Sequence, residues 1–341
     1  MATMPKTVHP SSPTWRIGRR VLRGIARTLA VLVGGILGLA LVGAGYEAIA
    51  ASGDAQRYPA PGQLVDVGGY RLHIQCVGTG SPTVVLDAGL GGASLDWSLV
   101  QPALSTTTRV CAYDRAGMGW SDPGPAPRTP GQIARELHTL LTKAGIPGPY
   151  VLVGHSLAGK NVRMFALQHP EEVVGLVLVD TRSEYVDGHI SAAEAGDFPQ
   201  ALQAQGGQFA VARRLGIARL FGANLLGIPS SLPDATRTAM ALLASQPQAI
   251  AATTAEGIER ATDDGALQAA PLLGDRPLIV MAAEASMTHL PFWPEAQQRM
   301  AALSTAGRLI IAQGSRHAIH WDQPALVIDA VQQVIAQVRS H

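Results

Sequence analysis

YVLVGHSLAG, residues 150–159, is the stretch that decides the fold of this chain. Its first residues are apolar and rich in valine, as in a short buried strand, and from Ala158 onward apolar residues recur at helical spacing. Almost no loop separates the strand from the helix, so we expect Ser156 to occupy a strained turn with its hydroxyl projecting above the sheet. Backbone N–H groups at the start of the helix lie beside that hydroxyl and can stabilise an oxyanion. The small residues Gly154, Ala158 and Gly159 suit a place where strand, turn and helix approach closely.

The motif in this turn is short. The usual pattern is G-x-S-x-G, and Ala158 stands at its last position. In a chain with 37 glycines a chance match is easy, and a plain Gly/Ser turn between a strand and a helix would have the same letters. The remaining sequence therefore has to decide between these two interpretations.

The composition is that of a well-buried globular protein with an additional apolar segment. The chain has 341 residues, of which 47% are hydrophobic and 15% charged, enough for one large α/β domain with an inserted lid and a terminal appendage. Its formal charge of +1 hides an uneven distribution, because residues 1–45 hold six of the 26 basic residues and no acidic one. The rest of the chain is mildly acidic, which argues against a nucleic-acid-binding domain with a basic face.

The apolar segment is TLAVLVGGILGLALVGAG, residues 28–45, and it follows a basic tail at 1–27. A helix of this length reaches roughly 27 Å at about 1.5 Å per residue, close to the thickness of the hydrocarbon core of a bilayer. We expect an uncleaved transmembrane anchor with the tail in the cytoplasm, a linker at 46–61 and the folded domain outside. A signal peptide cleaved near Ala50, which would give a secreted protein, is the alternative. The many glycines disfavour a buried core helix.

Apolar runs that alternate with helical patterns predict a mostly parallel sheet covered by helices on both faces. A hairpin is predicted at 64–76, and amphipathic helices at 129–145 and 324–338. Residues 185–270 contain only Ala-, Gln- and Leu-rich helical segments, so we predict a helical cap inserted between core segments 62–184 and 271–341. The other predicted strands lie at 83–86, 109–113, 150–153, 173–179, 277–281 and 308–312.

Two loops after predicted strands need separate interpretation. DAGLGG, residues 87–92, lacks both G-x-G-x-x-G and a following Lys-Ser/Thr pair, so we predict no phosphate site there. We expect it instead to supply a backbone N–H, that of Leu90, to an oxyanion hole. The stretch DRAGMGWS, residues 114–121, predicts a structural turn fixed by Asp114 and Arg115, with Trp120 as packing mass.

The two cysteines, Cys76 and Cys111, both lie in apolar runs typical of strands. We expect them to be small buried hydrophobic residues, and a disulfide is the alternative in an exported protein. No metal-ligand pattern includes them. The sequence predicts neither a metal nor a cofactor.

Five ordered motifs resemble the α/β-hydrolase superfamily over about residues 62–340. They are DAGLGG at 87–92, YDRAGMGWSD at 113–122, GHSLAG at 154–159, LVLVD at 176–180 and GSRHAIHWDQP at 314–324. The resemblance implies an α/β-hydrolase fold of the serine-nucleophile, esterase-like branch with a helical cap. It also implies that Ser156 is the nucleophile and His317 its base, and that the N–H groups of Leu90 and Leu157 bind the oxyanion. His320 is expected to be peripheral, since no third metal ligand lies near it in the sequence.

The acid partner of His317 departs from the family pattern. In most relatives it follows the penultimate strand in a pattern resembling GEKD, and the corresponding stretch here, residues 283–286, places Ser286 at that position. Two candidates remain, Asp180 at the end of the preceding strand and Glu284. We favour Asp180, because it directly ends a buried strand and keeps the order Ser, Asp, His. A turn or helix-capping role for Asp180 is the alternative.

These residues together predict a membrane-anchored serine hydrolase, a carboxylesterase that acts on small to medium neutral or lipophilic esters through an acyl-enzyme. A serine in the turn argues against the epoxide hydrolases and haloalkane dehalogenases of this fold, which attack with a carboxylate. One alternative is an acyltransferase or cofactor-free perhydrolase with the same residues, and another is a ligand-binding or sensing protein with a vestigial site. The expected partners are a small ester and the membrane, without nucleic acid.

Overall fold

The computed structural model describes residues 13–190 and 192–340, so the first twelve residues of the predicted basic tail lie outside the described part. The described chain opens with helix α1 (Pro13–Ala51), followed by the short α2 (Asp54–Arg57). Residues Leu22–Ala51 are long and apolar enough to cross a membrane, and no residue of their most apolar window is buried. A signal sequence near the N-terminus has the same character. The predicted linker at 46–61 holds the end of α1 and all of α2.

Within residues 13–190 and 192–340, eight strands form one sheet. They are β1 (Gln63–Asp66), β2 (Arg71–Val77), β3 (Thr83–Asp87), β4 (Val110–Tyr113), β5 (Tyr150–His155), β6 (Val173–Val179), β7 (Leu278–Ala283) and β8 (Gly307–Ala312). Their spatial order is β1-β2-β4-β3-β5-β6-β7-β8. β1 and β4 each pair antiparallel with β2, and the remaining pairs are parallel. The predicted mostly parallel sheet is confirmed, and so is the hairpin at its start.

Three helices belong to the first part of the core, namely α3 (Gln101–Leu104), α4 (Pro130–Lys143) and α5 (Ala158–Gln168). The start of α4 follows from its sequence, because the side chain of Thr129 accepts a hydrogen bond of 3.1 Å from the N–H of Gln132. Pro130 then occupies the first turn, where no N–H is needed. Beyond the helix end, Gly145 adopts a φ of +66°, which an L side chain rarely tolerates.

The insertion between β6 and β7 is helical, and within residues 184–190 and 192–269 it contains no strand. Its helices are α6 (Glu184–Asp187), α7 (Ala192–Arg214), α8 (Ile217–Leu225), α9 (Asp234–Ala244), α10 (Pro247–Ile258) and α11 (Asp264–Ala269). These helices form the predicted cap. Lys160 of α5 ties both ends of the cap to the core, since its fully buried ammonium donates to Asp187, at 2.5 Å, and to Asp264. A buried ammonium requires such partners, so the attachment is specific.

The chain ends with α12 (Glu284–His289), α13 (Trp293–Ala301), α14 (Ile319–Asp322) and α15 (Pro324–Ser340). Apolar side chains fill both faces of the sheet. One cluster includes Leu137 of α4 and Phe165 of α5, and the other includes Leu104 of α3 and Val331 of α15. The sheet is therefore covered on both sides, and its carboxyl edge is left for polar side chains.

Cys76 and Cys111 form a disulfide, so the expectation of two separate buried thiols is wrong. The two residues are direct partners in the register between β2 and β4, with their Cα atoms 4.0 Å apart. In the chain β3 comes between these strands, but in the sheet it does not. The disulfide thus depends on the spatial order of the strands. The sequence around each cysteine does not predict that order.

Candidate active site

The turn around Ser156 has the geometry that its sequence predicts. β5 ends at His155 and α5 begins at Ala158, and Ser156 itself has a φ of +53°. Such a backbone is strained for a residue with a side chain and is maintained by its surroundings. Here the N–H of Ser156 donates to Val179 O at 3.1 Å, and its carbonyl accepts from the N–H of Arg182 at 3.1 Å. Both contacts come from β6 and the residues that follow it.

Two glycines make the tight turn sterically possible. A Cβ atom on Gly154 would lie 2.8 Å from the carbonyl oxygen of Ala158, and one on Gly159 would lie 2.5 Å from the side chain of Thr181. Neither contact is tolerable without a backbone shift. The close approach inferred from the sequence is therefore present at both glycines.

Three of the predicted site residues are hydrogen-bonded in a row. His317 lies in the loop between β8 and α14 and places its Nε2 2.9 Å from Ser156 Oγ. Its Nδ1 lies 2.6 Å from Oδ2 of Asp180, the residue that directly follows β6. The carboxylate is fully buried, whereas 46% of the His317 side chain is exposed. In this arrangement an imidazole can accept a hydroxyl proton while a buried carboxylate fixes its orientation.

Asp180 and Glu284, the two candidates for the acid, lie in different environments. Oδ1 of Asp180 accepts from the N–H of Ala283 at 3.0 Å and from Nε1 of Trp293 at 2.8 Å. Oδ2 accepts a further hydrogen bond of 2.5 Å from Ser286 Oγ, in addition to that from His317. Glu284 instead accepts from the N–H of Gly314 at 2.6 Å. The structure thus brings Asp180 and not Glu284 to His317.

The loop with Leu90 lies against this row of residues. A Cβ atom on the preceding residue, Gly89, would lie 3.2 Å from Ser156 Cβ and 2.8 Å from His155 Nδ1. Among the hydrogen bonds of the described residues, the backbone N–H groups of Leu90 and Leu157 have no acceptor. Unengaged N–H donors near a hydroxyl can stabilise negative charge on an oxygen atom placed between them.

Arg115 has a different task from the one predicted. The turn after β4 is fixed by Asp114, whose Oδ2 accepts from the N–H of Trp120 at 2.9 Å. The guanidinium of Arg115 instead holds the DAGLGG loop, since it donates to Ala88 O at 2.5 Å and to Gly89 O at 2.8 Å. The expectation that it fixes its own turn is wrong, because the buried guanidinium extends into the neighbouring loop, where carbonyls and carboxylates can satisfy its donors.

The same guanidinium joins the loop to the cap. It lies 2.7 Å from Oδ1 of Asp87 and 2.9 Å from Oε1 of Glu256 in α10. Burial raises the pKa of the Asp87 carboxyl, and the positive charge of Arg115 acts against that rise. Glu256 was not among the predicted residues. The sequence contained one weak indication that Glu256 has a specific partner, because it is the single charged residue of α10.

Two further histidines pack around His317. The ring of His155 lies 4.7 Å from that of His317 and 4.4 Å from that of His320. Burial lowers the pKa of His320 to about 3, and burial together with these two neighbours holds the pKa of His155 well below its usual range. His320 is not peripheral as expected, because it is buried against Trp97 beneath the site. Both buried histidines are therefore neutral at neutral pH.

A cavity of about 320 Å³ lies between the cap and the core. Leu90 and Gly91 form its wall on the core side, so it adjoins the loop that touches Ser156. The cap contributes a mainly apolar wall that includes Phe198, Leu202, Phe209, Leu226 and Ile250. Such a cavity can accept an apolar group of a bound molecule.

One group among the described residues has the composition of a metal site, namely His138, His169 and Glu172. The rings of the two histidines are stacked at 3.8 Å with planes only 8° apart. Because imidazole lone pairs lie in the ring plane, stacked rings do not point at one ion. The group lies at the end of α5 opposite to Ser156 and plays no part in the site described above.

The sequence model of the α/β-hydrolase fold family matches residues 82–324 of this chain. This chain belongs to that family. "Probable transporter efuK" of Hormonema carpetanum is 42% identical over 130 residues, covering 36% of this chain and 19% of that protein. An AB hydrolase superfamily protein of Gibberella zeae is 31% identical over 125 residues, covering 34% of this chain and 39% of that protein. The chain thus spans well under half the length of either relative.

Among solved structures, a thermophilic esterase from Thermogutta terrifontis with bound malate is similar to this chain with a TM-score of 0.62. The match covers 81% of this chain and 98% of the esterase at 21% sequence identity. At that identity the likeness concerns the fold. The family match therefore establishes the fold of this chain, and the function of its particular site is inferred below.

Proposed function

We propose that this protein is a membrane-anchored serine hydrolase, a carboxylesterase for small to medium neutral or lipophilic esters. The observation that supports it most is the row of hydrogen bonds from Ser156 Oγ to His317 Nε2, 2.9 Å, and from His317 Nδ1 to Asp180 Oδ2, 2.6 Å. Nucleophile, base and acid thus have the contacts that acyl transfer needs before any substrate binds.

In the proposed first half-reaction Ser156 Oγ attacks the carbonyl carbon of the ester, and its proton passes to His317 Nε2. The carbonyl oxygen becomes an oxyanion, which the N–H groups of Leu90 and Leu157 stabilise. The C–O bond to the alcohol then breaks, and the alcohol leaves with the proton from His317. The product on the protein is an ester of Ser156.

In the second half-reaction water takes the place of the alcohol. His317 removes a proton from the water, which attacks the acyl carbon and forms a second oxyanion in the same position. Collapse of this intermediate breaks the bond to Ser156 Oγ, which recovers its proton from His317. The carboxylic acid leaves, and Asp180 stabilises the imidazolium in both halves without changing its own protonation.

The cavity beside Leu90 supports a lipophilic group on the substrate. Its wall is formed mainly by apolar side chains from the cap, and its volume of about 320 Å³ limits the group to small or medium size. Residues Leu22–Ala51 of α1 support attachment to a membrane, with secretion after cleavage near Ala50 as the alternative.

The contact between Asp180 and His317 also bears on the alternatives. The alternative of a ligand-binding protein with a vestigial site was based on the displaced acid, and the 2.6 Å hydrogen bond from His317 to Asp180 supports the hydrolase instead. An acyltransferase or a perhydrolase would use the same first half-reaction. It would differ only in the second half-reaction, where an acceptor other than water takes the acyl group from Ser156.

The proposal is tested with the full chain in detergent micelles. Hydrolysis of p-nitrophenyl esters from acetate to decanoate and labelling by a fluorophosphonate are compared between the wild type, Ser156→Ala and Ser340→Ala, an exposed serine of α15. Turnover and labelling should vanish in Ser156→Ala alone. Folded wild type that neither labels nor hydrolyses any ester in the series would overturn the proposal, and turnover only with added alcohol or peroxide would point to the acyl-transfer alternatives.

A further inference from the structure

The cap presents an apolar stripe to the outside along one side of α8. It consists of Ile217, Leu220, Phe221 and Leu225, of which 39%, 62%, 55% and 62% are exposed. Positions i, i+3, i+4 and i+8 lie on one face of a helix, so the stripe is continuous. Ala218 and Gly222, on the adjoining side of the helix, are buried, and a Cβ atom on Gly222 would lie 3.0 Å from the Cβ of Ala241 in α9. Large apolar side chains in a continuous exposed patch mark a binding surface.

The stripe begins beside α1. The loop between α7 and α8 touches α1 so closely that a Cβ atom on Gly43 would lie 2.4 Å from the carbonyl oxygen of Leu215. On the other side of the contact, a Cβ atom on Gly216 would lie 3.1 Å from the ring of Tyr46. These residues of α1 stand at the end of the apolar run 28–45. α8 therefore starts at the level where that run ends.

Ionic contacts fix α8 in this position. Arg219 lies 2.9 Å from a carboxylate oxygen of Glu47 and 2.7 Å from one of Asp54, and only 8% of its side chain is exposed. Four hydrogen bonds join the guanidinium to these two carboxylates. Bidentate contacts of this kind restrain orientation as well as distance. The polar side of α8 thus faces the end of α1 and α2, and the apolar stripe points elsewhere.

We infer that the stripe of α8 lies in the surface layer of the lipid bilayer that α1 enters. The inference rests on the membrane anchoring in the proposed function. An amphipathic helix lies in the plane of the interface with its apolar face about 5–10 Å deep in the headgroup and acyl boundary. α8 meets this condition where it starts, next to the end of the apolar run. Val211 of α7 is also exposed, at 56%.

This placement connects the bilayer to the candidate active site. Leu225 belongs to the stripe, and the next residue, Leu226, lines the cavity that adjoins Leu90. α7 contributes both Val211 on the outside and Phe209 on the cavity wall. An ester dissolved in the lipid would therefore reach the cavity through the part of the cap that is seated in the bilayer, which favours substrates that partition into membranes.

The test measures insertion and not activity. The chain has two cysteines and they form a disulfide, so Leu220→Cys offers a single free thiol for an environment-sensitive nitrobenzoxadiazole label. The full-length protein is reconstituted at one copy per phosphatidylcholine nanodisc. The matched control is Leu272→Cys, 67% exposed and located beyond the cap. Thermal unfolding of both variants verifies that they fold.

We expect the label at position 220 to emit at shorter wavelength than the label at 272, and to be quenched at least threefold more strongly by lipids with a spin label near the headgroup. Equal emission and equal access to aqueous iodide at both positions would overturn the inference. Protection from iodide without quenching by spin-labelled lipid would also overturn it, because it would mean a protein cover such as a second copy. Insertion is also measured in Ser156→Ala, where it should be unchanged, and ester turnover of the wild type is measured separately, so a failed hydrolase with an inserted stripe is distinguished from an active hydrolase without one.

Discussion

Ser286 Oγ donates a hydrogen bond of 2.5 Å to Asp180 Oδ2, the same oxygen that accepts from His317 Nδ1. Ser286 stands where the resemblance to most α/β-hydrolases would place the acid itself. β6 and β7 are parallel neighbours, so a carboxylate at the end of either strand can reach the same histidine. In this protein the carboxylate beside His317 comes from the end of β6, and the hydroxyl of Ser286 lies just beyond the end of β7.

The first prediction concerns the acid. Asp180→Asn should lower kcat for ester hydrolysis by about 10³- to 10⁴-fold, because an amide cannot stabilise the imidazolium and favours the wrong tautomer of His317. Steady-state kinetics with a p-nitrophenyl ester measure the effect. Glu284→Gln is the matched control and should stay within about threefold of the wild type. A larger loss in Glu284→Gln than in Asp180→Asn would contradict the assignment.

The second prediction concerns Ser286 as a positioning residue. Ser286→Ala removes one of the four hydrogen bonds to Asp180 and should lower kcat about tenfold with little change in KM, as expected for a charge-assisted hydrogen bond worth roughly 1.5 kcal/mol. Because the effect passes through His317, the pH dependence of kcat should shift as well. Thr288→Ala, in the same helix but exposed, is the control. An unchanged pH profile would leave Ser286 with a purely structural role.

The third prediction concerns the contact between Arg115 and Glu256. Glu256→Ala leaves the buried guanidinium with one carboxylate fewer, and breaking a buried pair in this way costs about 3–5 kcal/mol of unfolding free energy. Urea denaturation measures the change. Glu259→Gln, three residues further on and partly exposed, should stay within about 0.5 kcal/mol. Arg115 also holds the carbonyl groups of Ala88 and Gly89. The kcat of the folded fraction of Glu256→Ala should therefore be lower than that of the wild type.

The fourth prediction concerns acid stability. His155 and His320 have pKa values lowered in the folded protein, His320 to about 3, whereas the unfolded chain takes up protons near a pKa of about 6.5. The contribution of His320 to stability is complete above pH 6.5 and is lost as the pH falls from there toward about 3, and the contribution of His155 changes in the same direction. The slope is about 1.4 kcal/mol per pH unit for each histidine. In urea denaturation between pH 7 and pH 4, His320→Phe should show a shallower slope than the wild type. Equal slopes would contradict the lowered pKa of His320.

The fifth prediction concerns the disulfide between Cys76 and Cys111. The bond closes a loop with a sequence separation of 35 residues, and constraint of the unfolded chain by such a loop is worth roughly 3–4 kcal/mol. Cys76→Ser with Cys111→Ser should lower the unfolding free energy by about that amount, and dithiothreitol should do the same to the wild type. Ester hydrolysis should persist in the folded double variant, because neither residue belongs to the site. No effect of reductant on stability would indicate that the thiols are free.

Much of this architecture could be predicted from local patterns. β5, between Gly145 and Ser156, is an apolar run, and the start of α4 follows from Thr129 and Pro130, because caps and periodicity act over a few residues. The errors came from longer range. The role of Arg115, the burial of His320 and the bond between the cysteines each depend on segments that are far apart in the chain.

The sequence by itself determined the α/β-hydrolase fold, the strained turn at Ser156 and the histidine that follows the last strand, since each is written in a contiguous motif. The sequence favoured Asp180 but left Glu284 open, and only the tertiary structure showed which carboxylate contacts His317. It placed Asp180 beside His317 because β6 and β7 are neighbours and because Trp293 and Ser286 direct donors to that carboxylate. It also brought α8 against the end of α1 through Arg219. Contacts of this kind arise from the packing of distant segments, and no local pattern encodes which segments will meet.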